Sequence, residues 1–269
     1  MFPALIQRPI AFMCVLFGAL IIGFAAGAQV PQKGRGTPAP DLMEPAEAYK
    51  FCLDLARTYP EQGVEFAGKW VGLSGGEPAK HCQAVALLGM RDFKEAATRL
   101  EELAEASKKE NAVRAGLLAQ AGQAWLLGGD TERAYAAQTA ALKLVPRDAQ
   151  ILMDRAQTLA EAKNYWQAID DLNVALEVAP KNADAYAFRA SAYRMVDADD
   201  LATDDASRAL ALDPGNLSAL LERGNLRRMK GRNGPARQDW LKILELAPDS
   251  DTAKAARSNI EKLDVNPDK

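Results

Sequence analysis

Two cysteines and a histidine are the residues best suited to covalent or metal chemistry. Cys52 and Cys82 are 30 residues apart, and His81, the only histidine of the 269-residue chain, directly precedes Cys82. Three interpretations are open: a disulfide, two free thiols, or a metal site formed by both sulfurs and the imidazole. Two thiolates and one imidazole are one ligand short of a closed zinc site, which counts against the metal.

A run of carboxylates is the second group that could do chemistry: Asp197, Asp199, Asp200, Asp204 and Asp205. It suggests a calcium loop but lacks the glycine and the closing glutamate of an EF-hand. Asp199 and Asp200 fit better at the start of a helix, where the helix dipole favours negative charge.

The chain has no glycine-rich phosphate loop, no GxSxG elbow and no HExxH pair. We therefore predict a protein that is not an enzyme and binds no cofactor. An enzyme would need an unrecognised site in residues 44–76. The formal net charge of −3, from 33 basic and 36 acidic residues, argues against a nucleic-acid-binding protein that acts through a general positive field.

The first residues are typical of an export signal. Residues 10–28 are apolar or small, Arg8 precedes them, and they end in Ala26-Gly27-Ala28. This predicts a signal peptide over residues 1–28 and a bacterial periplasmic protein. The alternative is an uncleaved membrane anchor over residues 10–28, since such a run is just long enough to cross a bilayer.

Cleavage after Ala28 would remove Cys14 and leave two cysteines in an oxidising compartment. An even number of cysteines there favours a disulfide between Cys52 and Cys82. Residues 29–43 contain three prolines and two glycines without apolar periodicity, which predicts a flexible linker.

Prolines mark a repeat of 34 residues. Each proline ends an apolar, helix-like segment, and each is followed two residues later by a good helix N-cap. The prolines are Pro146, Pro180, Pro214 and Pro248, and the caps are Asp148, Asn182, Asn216 and Ser250. Each period therefore contains one helix end and one helix start, which predicts a chain of helical hairpins.

Residue size follows the same period. With Ala115, Ala149, Ala183 and Leu217 as first residues, positions 8, 20 and 27 are small except for Ile243, and position 4 is bulky. Position 8, for example, reads Gly122, Ala156, Ala190, Gly224. Small residues at matched places let two helices of a hairpin cross closely.

This pattern resembles the tetratricopeptide repeat (TPR) family, whose 34-residue units place small, bulky and proline residues at these positions. The resemblance implies an all-α fold of about thirteen helices, wound into a right-handed superhelical solenoid. The repeats would span residues 77–110, 115–148, 149–182, 183–216 and 217–250. A divergent hairpin over residues 44–76 would precede them, and a capping helix over 251–263 and a tail over 264–269 would follow.

Arginine and aspartate change together along the repeats. Positions 7 and 23 carry Arg and Asp in three repeats, and both carry Ala in the repeat before. We predict an ion pair within each repeat, since a partly buried arginine without its carboxylate is costly. The pairs are Arg155–Asp171, Arg189–Asp205 and Arg223–Asp239. The alternative is an arginine ladder that binds phosphate or an acidic polymer.

In the TPR family, positions 2, 5, 9 and 12 of the first helix face a concave groove. The resemblance implies that the groove carries small apolar residues, neutral hydrogen-bonding groups, and positive charge toward its C-terminal end. The predicted groove residues are Gln123, Met153, Gln157, Ser191, Arg194, Leu221, Asn225 and Arg228. We expect Gln157 and Asn225 to pair with a peptide backbone and Arg194 and Arg228 to hold a carboxylate. The alternative is that these are ordinary solvated positions.

The function that these features predict is an exported adaptor or scaffold that binds a peptide or partner protein in its groove. An alternative is an envelope assembly factor, a chaperone-like holder of secreted or outer-membrane clients. An exposed apolar groove would favour the holder.

Overall fold

A computed structural model describes residues 38–265 and contains thirteen α-helices and no strand in that part of the chain. The all-α class and the expected number of helices are confirmed. The predicted signal peptide, residues 29–37 of the predicted linker, and residues 266–269 lie outside the described residues. The chain divides between Ala162 and Lys163 into two compact units.

The N-terminal unit contains seven helices, of which the first six pair into three hairpins along the chain. They are α1 (Pro45–Thr58), α2 (Pro60–Gly72), α3 (Gly76–Gly89), α4 (Phe93–Ala106), α5 (Asn111–Leu127), α6 (Thr131–Leu144) and α7 (Ala149–Glu161). The C-terminal unit contains six. They are α8 (Tyr165–Val178), α9 (Ala183–Met195), α10 (Asp199–Leu212), α11 (Leu217–Met229), α12 (Asn233–Leu246) and α13 (Asp251–Val265).

The four cap residues that follow the prolines begin helices as the sequence predicts. Asp148, Asn182, Asn216 and Ser250 each accept a hydrogen bond at 2.9–3.0 Å from the backbone N–H three residues later. Each bond satisfies one of the donors that the first turn of a helix leaves unpaired. The caps therefore fix the starts of four helices at intervals of 34 residues.

Small residues form the interior of each hairpin. Every alanine at positions 8, 20 and 27 is buried, as Ala156, Ala168 and Ala175 show with 1% exposure each. Where position 8 is glycine, a bulkier side chain takes the space. An ideal Cβ on Gly224 would lie 2.4 Å from Nε1 of Trp240, which is fully buried.

Two segments differ from the expected boundaries. The four residues between the first two repeats extend α5 by one turn, because α5 begins at Asn111 and not at Ala115. Residues 38–43 were expected in the linker, but Pro40–Leu42 form a 3-10 helix, Pro40 is buried, and Met43 packs against the core that includes Phe66. Burial of these apolar side chains against α2 orders the end of the segment.

The last helix covers the core of the C-terminal unit. Ala253, Ala256, Ile260 and Leu263 of α13 are at most 9% exposed, as its amphipathic pattern predicts. The opposite side of α13 is charged and exposed, with Lys254, Glu261 and Lys262 in solvent. Such a polar outer side is what the terminal unit of a repeat protein needs in order to stay soluble.

Candidate functional site: a polar face on the first helices

The two cysteines form a disulfide that joins the first helices of two consecutive hairpins. Cys52 of α1 and Cys82 of α3 are bonded, with their Cα atoms 6.1 Å apart and both side chains at 0% exposure. That Cα separation lies within the range that disulfides require. No group of three His, Cys, Asp or Glu side chains among residues 38–265 is arranged to hold a metal ion.

His81 connects three of these first helices. Its Nδ1 lies 2.8 Å from the Tyr49 hydroxyl on α1, and its Nε2 lies 2.9 Å from Oε1 of Gln120 on α5. Because an amide oxygen only accepts, Nε2 carries the proton, and in the neutral ring Nδ1 accepts from Tyr49. Burial raises the pKa of Tyr49, so its hydroxyl keeps the proton that it donates.

Asp154 of α7 lies beside two glutamines. Nε2 of Gln150 donates to its Oδ1 at 2.9 Å, and Gln123 of α5 forms a second hydrogen bond to the same carboxylate. Burial raises the pKa of Asp154, an effect that outweighs the two hydrogen bonds, and the negative charge of Asp148 adds to it. Gln123, expected to face a peptide directly, is instead part of this hydrogen-bonded group.

Met153, which we expected to line the groove, is only 4% exposed. Its apolar side chain is stabilised by burial away from water, and a side chain this buried offers no open contact surface. That prediction was therefore wrong for Met153. Gln157, one turn further along α7, is half-buried.

In the C-terminal unit, Arg194 of α9 forms an ion pair with Glu222 of α11. The two side chains are 17% and 6% exposed. Burial acts to lower the pKa of Arg194, but the charge of Glu222 and its hydrogen bond outweigh that and raise it. Arg194 therefore already has one carboxylate partner within the chain, and its contact with a carboxylate of a binding partner stays a prediction.

The remaining predicted groove residues of this unit lie on α9 and α11. Asn225 accepts a hydrogen bond at 2.9 Å from Nδ2 of Asn259 on α13. Because α13 follows the hairpin α11–α12 and takes the place of the next first helix, Asn225 too is bonded to a neighbouring first helix. Ser191 and Leu221 are half-buried, and Leu221 packs against the core of the unit. Arg228 is half-buried and its side chain forms no hydrogen bond or ion pair with any residue in 38–265.

Arg189 and Arg223 each pair with the aspartate at position 23 of the same repeat. Arg189 donates to both oxygens of Asp205 at 2.7 and 2.9 Å and also to Asn173 at 2.7 Å. Arg223 donates to both oxygens of Asp239, which accepts from Arg227 as well.

The first of the three arginines has a partner in the preceding repeat. Arg155 donates to Oγ1 of Thr139 at 3.2 Å, the place that Asn173 takes for Arg189. Asp171 is 7% exposed. Asp171 belongs to the C-terminal unit and Arg155 to the N-terminal unit, and their pairing stays a prediction.

We predict that Arg189→Ala lowers the free energy of unfolding by about 1–3 kcal/mol, since it leaves the buried Asp205 without its charged donor. The double change Arg189→Ala with Asp205→Ala should recover part of that loss. Urea denaturation of the four proteins of the cycle measures the coupling between the two side chains. Strictly additive losses would contradict the pairing.

Comparison with known proteins agrees with this architecture. No protein-family model matches the chain, and no curated protein matches it. Among solved structures, MamA (residues 41 to the end) from Desulfovibrio magneticus RS-1 is similar, at 25% identity and a TM-score of 0.54. The match covers 65% of this chain and 97% of that one.

Two other solved structures are similar. A MamA RS-1 ArsTM double mutant is 24% identical, with a TM-score of 0.53 over 63% of this chain and 93% of that chain. The APC/C hetero-tetramer Cut9–Hcn1 gives a TM-score of 0.59 at 15% identity, over 80% of this chain and 46% of that chain. These neighbours are TPR-containing proteins, so the chain has a TPR-like helical-repeat fold.

Proposed function

We propose that the protein is an exported scaffold that binds a protein partner through the first helices of its repeats. The observation that supports this is a set of hydrogen bonds and ion pairs between neighbouring first helices. These are His81–Gln120 and Gln123–Asp154 in the N-terminal unit, and Arg194–Glu222 and Asn225–Asn259 in the C-terminal unit. They hold polar side chains at fixed places, so less conformational entropy is lost when a partner binds.

The chemistry of these polar groups, which we call the polar face of the first helices, supports binding over catalysis. His81 is the residue that would serve as a general base, but both of its ring nitrogens are occupied by Tyr49 and Gln120. A base must have a free nitrogen within reach of the proton that it removes.

A specific scaffold fits this face better than a general holder of unfolded chains. The positions that we assigned to the groove are largely polar or charged, and the longest apolar one, Met153, is buried. Several large exposed apolar side chains lie on second helices, among them Trp166, Leu201 and Leu241. A holder would need its apolar surface on the face that binds clients.

Export is the second part of the proposal. Disulfides persist in oxidising compartments, and the Cys52–Cys82 bond fits the even cysteine count that a leader cleaved after Ala28 would leave. The periplasm of a bacterium is the proposed location, with an anchor over residues 10–28 as the alternative. None of the helices in residues 38–265 has the length and apolarity needed to cross a bilayer.

Site-specific photocrosslinking in the native compartment tests the binding face. A photoreactive residue at Leu126 or Arg228, on first helices, should capture one discrete partner. The matched controls are Glu132 and Asp170, which are exposed at the start and middle of the second helices α6 and α8. Crosslinks of equal yield from both sets, or from the controls alone, would contradict the proposal.

A further inference from the structure

Asp154 is a carboxylate with no cationic partner among residues 38–265. Its side chain is half-buried, with hydrogen bonds from Gln150 and Gln123, and it forms no ion pair with any residue that the structure describes. An ionised carboxylate has about four acceptor directions over its two oxygens, and the two glutamines use two of them. Two directions remain for a donor that the described chain does not supply.

The C-terminal unit contains an acidic residue at the same repeat position as Asp154, and there a cation pairs with it. Glu222 occupies position 6 of its repeat, as Asp154 does of its own, and pairs with Arg194 at position 12 of the preceding repeat. The residue that corresponds to Arg194 in the N-terminal unit is Leu126, which is apolar and half-buried. The same position therefore carries a compensated acid in one unit and an uncompensated acid in the other.

An uncompensated, half-buried carboxylate does not help the fold. Burial disfavours the ionised form of Asp154, and the negative charge of Asp148 disfavours it further. An acid whose pKa is raised in the folded state lowers stability once the pH exceeds its unfolded value. Asparagine at this position would still accept from Gln150 at its Oδ1, its Nδ2 can donate to a glutamine oxygen, and it would avoid that cost.

We propose that Asp154, held between Gln123 and Gln150, binds a lysine or arginine side chain of the partner's segment. The inference rests on the proposed function, because it places the partner on the first helices. A protonated amine or guanidinium supplies both the positive charge and the N–H donors that the carboxylate lacks. Charge complementarity thus selects a basic side chain over an acidic or apolar one.

A selection of random displayed dodecapeptides against the full disulfide-bonded chain tests this. Peptides that crosslink through a photoreactive residue at Leu126 should share one basic residue. Replacing that residue by Gln, or Asp154 by Asn, should each weaken binding about thirtyfold or more, and the two changes together should cost little more than either alone. Glu102→Gln, which removes one charge from an exposed site on α4, is the matched control and should leave affinity unchanged.

The outcomes separate the two proposals. Peptides that crosslink on this face without a shared basic residue, or that bind Asp154→Asn as tightly, overturn the inference and leave the scaffold function standing. If no selected peptide crosslinks on this face, both fail. Asp154→Asn should unfold at a urea concentration no lower than the parent protein, so that lost binding cannot be ascribed to lost structure.

Discussion

Replacing Glu222 by Gln is expected to lower the free energy of unfolding by about 3–5 kcal/mol, the cost of breaking a buried ion pair by removing one partner. Arg194 stays charged at every accessible pH and is only 17% exposed, so the change leaves a positive charge with little access to water. Urea denaturation followed by circular dichroism measures the loss.

Two further variants define this prediction. Glu245→Gln removes an equivalent charge from an exposed pair with Lys242, where Glu245 is 68% exposed, and should cost well under about 1 kcal/mol. The double change Arg194→Met with Glu222→Leu removes both charges and should recover most of the loss, since apolar pairs of similar size replace buried ion pairs well. A double variant as unstable as Glu222→Gln alone would show that the loss does not come from the unpaired arginine.

The repeat could be predicted because its signals are local and occur several times. A proline, a cap residue and a small residue each report the backbone or the space at one position, and four copies remove ambiguity. The Arg189–Asp205 pair belongs to the same class, because Arg and Asp appear and disappear together within one chain. Repetition within the sequence supplied the information that a single occurrence does not contain.

Contacts between repeats could not be predicted in this way. Arg194 and Glu222 pair once, 28 residues apart, and nothing in the sequence distinguishes Glu222 from other acids within reach. His81 is likewise a single residue, and its hydrogen bonds to Tyr49 and Gln120 depend on the packing of three helices. As a result the sequence predicted an open row of polar groups. The structure instead pairs three of them, Gln123, Arg194 and Asn225, with residues outside that row: Asp154, Glu222 and Asn259.

The ion pair between Arg194 and Glu222 determines which arginine of the predicted groove is available to a partner. Of Arg194 and Arg228, only Arg228 lacks a partner among residues 38–265, so it is the better candidate to contact an acidic group. Charge reversal at Arg194 would test stability and not binding, because it places two negative charges together in a buried site.

The disulfide is expected to contribute about 3.5 kcal/mol to stability, on the chain-entropy model for a loop of 30 residues. It joins α1 to α3, where the hairpin over residues 44–76 lacks the repeat's small-residue pattern. Cys52→Ala with Cys82→Ala removes the bond without adding a polar group to a site that is fully buried.

Urea denaturation of this double variant, and of the parent protein with and without reductant, measures that contribution. The parent under reducing conditions should unfold near the double variant, and both should unfold at lower urea than the oxidised parent. The exported parent should also show no thiol that reacts with an alkylating agent after unfolding, as mass spectrometry would detect. Two alkylated cysteines, or identical midpoints for the oxidised and reduced parent, would mean that packing alone holds α1 against α3. Because both sulfurs are fully buried, a reductant reaches the bond only after the hairpin opens, so reduction of the native protein should be slow without urea.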